Sequence, residues 1–199
     1  MKASVDNLRL HLRAATASAH DRLDSAMREA ADWRSRDGYA RFLALQHAAR
    51  RPLEDWIAQG FDDDCAPPPQ APLIASDLAA LGAAPAQGIV PFEHASRSRA
   101  AQLGIAWALA GSALGNRAIA REIGADWPAA FLTDGAMFAF WQTLRAAIEQ
   151  PASADERRAS SAGALAVFSH FAALAEQPFE RAAPAGLAAA PEPAKECAL

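Results

Sequence analysis

His20 lies in the run Leu12-Arg13-Ala14-Ala15-Thr16-Ala17-Ser18-Ala19-His20-Asp21-Arg22-Leu23-Asp24, whose residue types and spacing suit metal chemistry. Arg13, Thr16, His20, Leu23 and Met27 recur at three- and four-residue steps. On a helix they share one stripe, and the imidazole points inward among apolar neighbours. Arg13 and His20 are seven residues apart, about 10.5 Å along a helix axis. An imidazole that ligates iron and a guanidinium that pairs a carboxylate, separated in this way, fit a heme lying edge-on to the helix. Asp24, one turn further, is placed to accept the imidazole's second N–H and raise its basicity. A hydrogen-bonded core histidine would leave the same pattern.

A second constellation is Ile105-Ala106-Trp107-Ala108-Leu109-Ala110-Gly111-Ser112-Ala113-Leu114-Gly115-Asn116-Arg117. Gly104, Ala108, Gly111 and Gly115 make a ridge almost without side chains, and a glycine inside a helix costs about 1 kcal/mol relative to alanine. Two compensations are open: another helix packs very closely there, or a flat ligand lies against the backbone. Ser112 is no hydrolase nucleophile, because a nucleophile elbow needs G-x-S-x-G between a strand and a helix. Among the other histidines, His170 is the rival ligand but lacks an arginine at comparable spacing. It reads as a boundary residue whose ring meets a backbone carbonyl or water. His11, His47 and His94 read as surface residues. Cys65 and Cys197 have no metal-site spacing and read as solvent-side thiols.

The elements that must position these groups are helices. Leu8, Leu12, Ala15, Ala19, Leu23, Ala26 and Ala30 mark the first, and Asp37 is placed to cap a second running from Gly38 towards Gln59. Pro52 should kink or divide that second helix. Gly60 to Pro72 reads as a loop, and Ser76 to Leu81 as a short helix followed by a turn-rich stretch through Pro85, Gly88 and Pro91. A long helix from Glu93 or His94 to Gly124 carries the glycine ridge. Trp127-Pro128 opens the next, closed by Gln150-Pro151, and Ser153 caps the last. The spacing predicts one all-α domain over residues 1–176, with a flexible Pro/Ala-rich tail over 177–199.

Composition agrees. Alanine is about a quarter of the 199 residues, whereas Val, Ile and Thr together number thirteen, a mixture that favours helix over sheet. A net charge of -4 and no basic block speak against nucleic acid as a partner. The longest apolar run, Leu103 to Gly115, falls short of the roughly 20 residues a bilayer needs, and the N-terminus shows no signal-peptide core, so a cytoplasmic protein is expected. Seventeen of the nineteen cations are arginine, which makes a guanidinium fork the expected anion contact.

Together the motifs resemble a known family. Leu-Arg, then Thr, His four residues later and Leu-Asp, is similar to the proximal helix of heme oxygenases, particularly the bacterial biliverdin-producing branch. Leu109 to Asn116 resembles that family's glycine-bearing distal helix, and Phe131-Leu132, Gly135, Trp141 and Leu144 resemble the helix after it. The resemblance covers most of residues 8 to 175 and implies a heme oxygenase-like bundle with heme, both cofactor and substrate, between the two helices. It implies His20 as the iron ligand, Gly111, Ser112 and Gly115 over the open face as catalytic wall, and Arg13, Asn116 and Arg145 as further heme contacts. Gln142 and Arg117 are alternatives for the second propionate. The implied reaction opens the ring to biliverdin, carbon monoxide and ferrous iron, using O2 and electrons from a ferredoxin or NAD(P)H-dependent reductase. A monomer without membrane or nucleic-acid partners is expected. Ser112 stands where the family often has an acidic residue that anchors water, Asn116 where a second glycine is common, and Asp134 where tyrosine is expected. A non-catalytic heme-binding or heme-trafficking protein on the same scaffold is the alternative reading. A helical interaction protein without cofactor is a third.

Overall fold

Five polar side chains set where helices begin. Asn7, Ser35, Ser98, Asp134 and Ser153 each accept a hydrogen bond from a backbone amide two or three residues on, satisfying groups a helix start leaves unpaired. The computed structural model describes residues 7–86 and 90–177. It contains α1 (Leu8–Ala30), α2 (Arg36–Ala58), α3 (Ala71–Ala80), α4 (Arg99–Ile119), α5 (Gly135–Ile148) and α6 (Ala154–Ala175). The fold is an all-α, single-domain helical bundle. Among the described residues no helix is long and apolar enough to cross a membrane. The expected tail lies outside the described residues, apart from its first position, as do Gly88 and Cys197.

Several boundaries differ from the sequence expectation, for nameable reasons. Ser35 caps α2, leaving Asp37 in the first turn, where its charge suits the positive end of the helix dipole. Pro52 does not divide α2: buried side chains on both sides of it hold the helix together through the missing hydrogen bond. α3 begins five residues before Ser76 because Glu54, on α2, accepts from the amides of Gln70 and Ala71 at 2.7 and 3.1 Å. Trp127-Pro128 opens no helix. The buried Asp77 carboxylate takes the amides of Ala130 and Phe131 at 3.1 and 2.9 Å, which holds that stretch in turns until Asp134 caps α5. α4 starts at Arg99, capped by Ser98, rather than at Glu93 or His94, and ends at Ile119, short of Gly124.

α6 is the element on which α1 and α4 both pack. The α4–α6 crossing is made of small residues: a Cβ on Gly104 would run into the Ser160 carbonyl, and one on Gly163 would meet the Ala101 carbonyl. The Ser160 hydroxyl donates to the Ala100 carbonyl at 2.7 Å across the same contact. One end of the glycine ridge is therefore compensated by close helix packing.

Histidine burial departs from expectation in part. His170 donates from Nε2 to the Ala49 carbonyl at 3.1 Å, the partner expected of a boundary residue. His47 and His94 are half-buried rather than on the surface, and His11 pairs through Nε2 with the Ser161 hydroxyl at 3.0 Å. Cys65 is fully buried, not solvent-side, and burial pushes its thiol up to about 11.

Two outcomes follow. Gly104→Ala should destabilise the fold by about 1–3 kcal/mol despite alanine's better helix propensity, because the Ser160 backbone cannot give way; urea unfolding measures it. Burial holds His170, His47 and His94 below the usual imidazole range. The unfolded chain then binds more protons, so stability is lost as pH falls below about 6.5 towards the folded-state values. The urea midpoint should drop between roughly pH 7.5 and 5.5, and His170→Gln should narrow the drop. An unchanged pH dependence in the variant would remove His170 from this account.

Candidate functional site

Between α1 and α4, with α6 and α2 behind them, lies a cleft of about 760 Å³, within the range of small-molecule sites. The stripe of α1 is its first wall: Arg13, Thr16, His20, Leu23 and Met27 all line it, as the three- and four-residue spacing requires. Thr16 is buried and its hydroxyl donates to the Leu12 carbonyl at 2.9 Å, so it serves the helix and not a ligand. The His20 side chain is 56% exposed, so the imidazole is not enclosed among apolar neighbours as the spacing led one to expect, but stands at an open face of the cleft. Its ring meets Phe168 of α6 edge-on at 5.8 Å, and Nδ1 stands 3.5 Å from the Asp24 carboxylate. That separation is an ion-pair distance beyond hydrogen-bond length, in the direction the outer-partner reading of Asp24 expects.

The second wall is α4, where Gly111, Ser112, Gly115 and Asn116 line the cleft opposite α1. A Cβ built on Gly111 or Gly115 would meet nothing within 4 Å. The ridge therefore splits: Gly104 is closed by α6, while Gly111 and Gly115 face open space. Ser112 accepts from Arg50 Nη2 at 2.8 Å and donates to the Leu109 carbonyl at 2.7 Å.

Arg13 sits exposed at the cleft edge, and among the described residues it has no ion-pair partner within 4 Å. Arg9, one turn before it, also lines the cleft but pairs with Glu149 at 3.2 Å. Arg145, expected as a heme contact, does not line the cleft: the same Glu149, one turn along α5, holds its guanidinium at 3.0 Å. Gln142 is likewise not in the lining, and Arg117 stacks on the Phe138 ring at 3.8 Å. Asp134, read as a departure beside the site, is a helix cap that also accepts from Gln70 at 3.0 Å.

None of the residues expected at the site lies on α2, yet Gln46 and Arg50 line the cleft. Arg50 is only 2% exposed and sits against the Phe131 and Phe171 rings at 5.1 and 5.8 Å. Burial pushes its guanidinium down to about 10, which leaves it charged at neutral pH. The signal was an arginine four residues after a glutamine on the face of α2 that carries Phe42, Leu53 and Trp56. No protein-family model and no curated protein matches this chain.

The open glycines give a test by substitution. Gly111→Ala should stabilise the ligand-free fold by about 0.5–1 kcal/mol, since alanine gains helix propensity and meets no atom. If the cleft takes a flat ligand against this backbone, the same variant weakens its uptake, and spectroscopic titration with ferric heme beside thermal unfolding separates the two effects.

Proposed function

We propose that this chain is a heme oxygenase, cleaving heme to biliverdin with release of carbon monoxide and ferrous iron, using O2 and electrons from a separate ferredoxin or NAD(P)H-dependent reductase. The observation that carries this reading is the pairing of an imidazole on one wall with two uncovered glycines on the other, across a cleft of a size suited to a cofactor. The residues fit the group. His20 would hold the iron, Arg13 would pair with a propionate, and Gly111 and Gly115 would admit the macrocycle's second face against the α4 backbone. Asn116 is buried on the same wall. Heme supplies the oxygen chemistry when bound. The chain's own contribution is orientation: Phe168 packs edge-on against the His20 ring, and Asp24 biases which ring nitrogen of His20 is free. Cytoplasmic location and a monomeric state belong to this proposal.

A heme carrier on the same scaffold has one observation in its favour, the engagement of the Ser112 hydroxyl by Leu109 and Arg50 where a water-anchoring carboxylate is usual in the resembled family. The experiment is heme titration followed by reduction. The chain should take up one equivalent of ferric heme with the spectrum of a neutral-imidazole complex, and His20→Ala should lose that spectrum. Ascorbate or a ferredoxin system should then bleach the Soret band as biliverdin appears. An intact band supports the carrier, and no stoichiometric uptake removes both readings.

A further inference from the structure

Ser112 has one proton, and Leu109 holds it. Because the hydroxyl donates to that carbonyl at 2.7 Å and accepts from Arg50 at 2.8 Å, it offers the cleft a lone pair and no donor. Arg50 carries five N–H groups, and those that bond to described residues go to Ser112 and, at 3.4 Å, to Gln46, both uncharged. Leaving a cation buried among neutral partners is costly. Glu54, one turn along α2, attracts it, but that carboxylate is engaged by the amides of Gln70 and Ala71. An anion placed in the cleft beside Arg50 would offset part of the cost and gain charge-assisted hydrogen bonds.

We propose that Arg50, lining the cleft beside Ser112, makes its inner wall a site for a small monoanion, and that Arg50 rather than Ser112 donates hydrogen bonds to what binds on the face opposite His20. The inference rests on the heme reading for the ligand that fills the rest of the cleft. Its consequence is selectivity: the loaded cleft favours an anionic over a neutral small molecule.

The test uses the full chain loaded with ferric heme, titrated with azide and separately with neutral imidazole, and read from the Soret shift. Arg50→Met removes the charge at similar volume. The ligand-free variant should fold by circular dichroism with its Tm little changed, since the buried ion lost has only neutral hydrogen-bond partners. Azide affinity should fall about tenfold in Arg50→Met while imidazole affinity stays within about twofold, the size expected for one charge-assisted hydrogen bond. Arg50→Lys should retain most of the azide affinity, and Ser112→Ala should retain the azide site. Loss of azide binding in Ser112→Ala but not in Arg50→Met assigns the donor to Ser112 and overturns the proposal, as does an equal loss for azide and imidazole. Were Arg50→Met unable to fold, Ser112→Ala decides alone: a retained azide site supports Arg50 as the donor, and a lost one overturns the proposal. Absence of heme uptake by the wild type is a different failure, which removes the heme reading and this inference with it.

Discussion

Where α4 crosses α6, Gly104 and Gly163 reduce the side chains to hydrogen, and the cleft depends on where that contact stops. Along α6 the small pair Ser160 and Gly163 gives way to Val167, Phe168 and Phe171, which line the cleft and hold its two walls apart. Phe168 touches His20 of α1 and Trp107 of α4, at ring separations of 5.8 and 6.3 Å, and so acts as a spacer between them. One helix thus carries glycines under two regimes. At Gly104 the propensity cost of about 1 kcal/mol is offset by backbone packing. At Gly111 and Gly115 the described residues offer nothing to offset it, and a cost borne without a structural return is what a binding surface looks like.

Charge follows the same division between edge and interior. Arg13 is solvated at the edge, where water screens it and holding it there costs little. Arg50 is desolvated, and its charge acts through a medium that screens poorly. A ligand with acidic groups at its edge and a small anion on its inner face would meet a cation at each place. On the α4 wall the Ser112 hydroxyl is fixed by the Arg50 guanidinium, so the charge nearest that wall is positive.

The α1 wall was legible because its period and the stripe from Arg13 to Met27 lie within a few turns of one another. The glycine ridge was legible as a feature but not as an outcome, since its two compensations differ only in what stands across from it. Boundaries failed where the deciding group was remote. Glu54 starts α3 from α2, and Asp77 keeps Ala130 and Phe131 out of α5 from more than fifty residues away. Arg145 was misplaced for a related reason: its partner Glu149 is plain in the sequence as an i,i+4 pair, but that pairing says nothing about which side of α5 faces the cleft. Arg50 escaped notice because arginine is rarely buried, and composition cannot show which cation is the exception.

Gln46, Arg50 and Glu54 fall at four-residue intervals on α2, one buried or half-buried polar row along an otherwise apolar face. Arg50 reaches α4 through Ser112, Glu54 reaches the start of α3 through Gln70 and Ala71, and Gln70 in turn donates to Asp134, the cap of α5. This row therefore joins four helices through groups whose geometry is specific, where apolar contacts alone would tolerate sliding. Buried ions of this kind contribute little net stability, and their best-attested use is to fix register. Here the Arg50–Ser112 bond ties α2 to α4 beside Gly111, on the wall of the cleft across from His20.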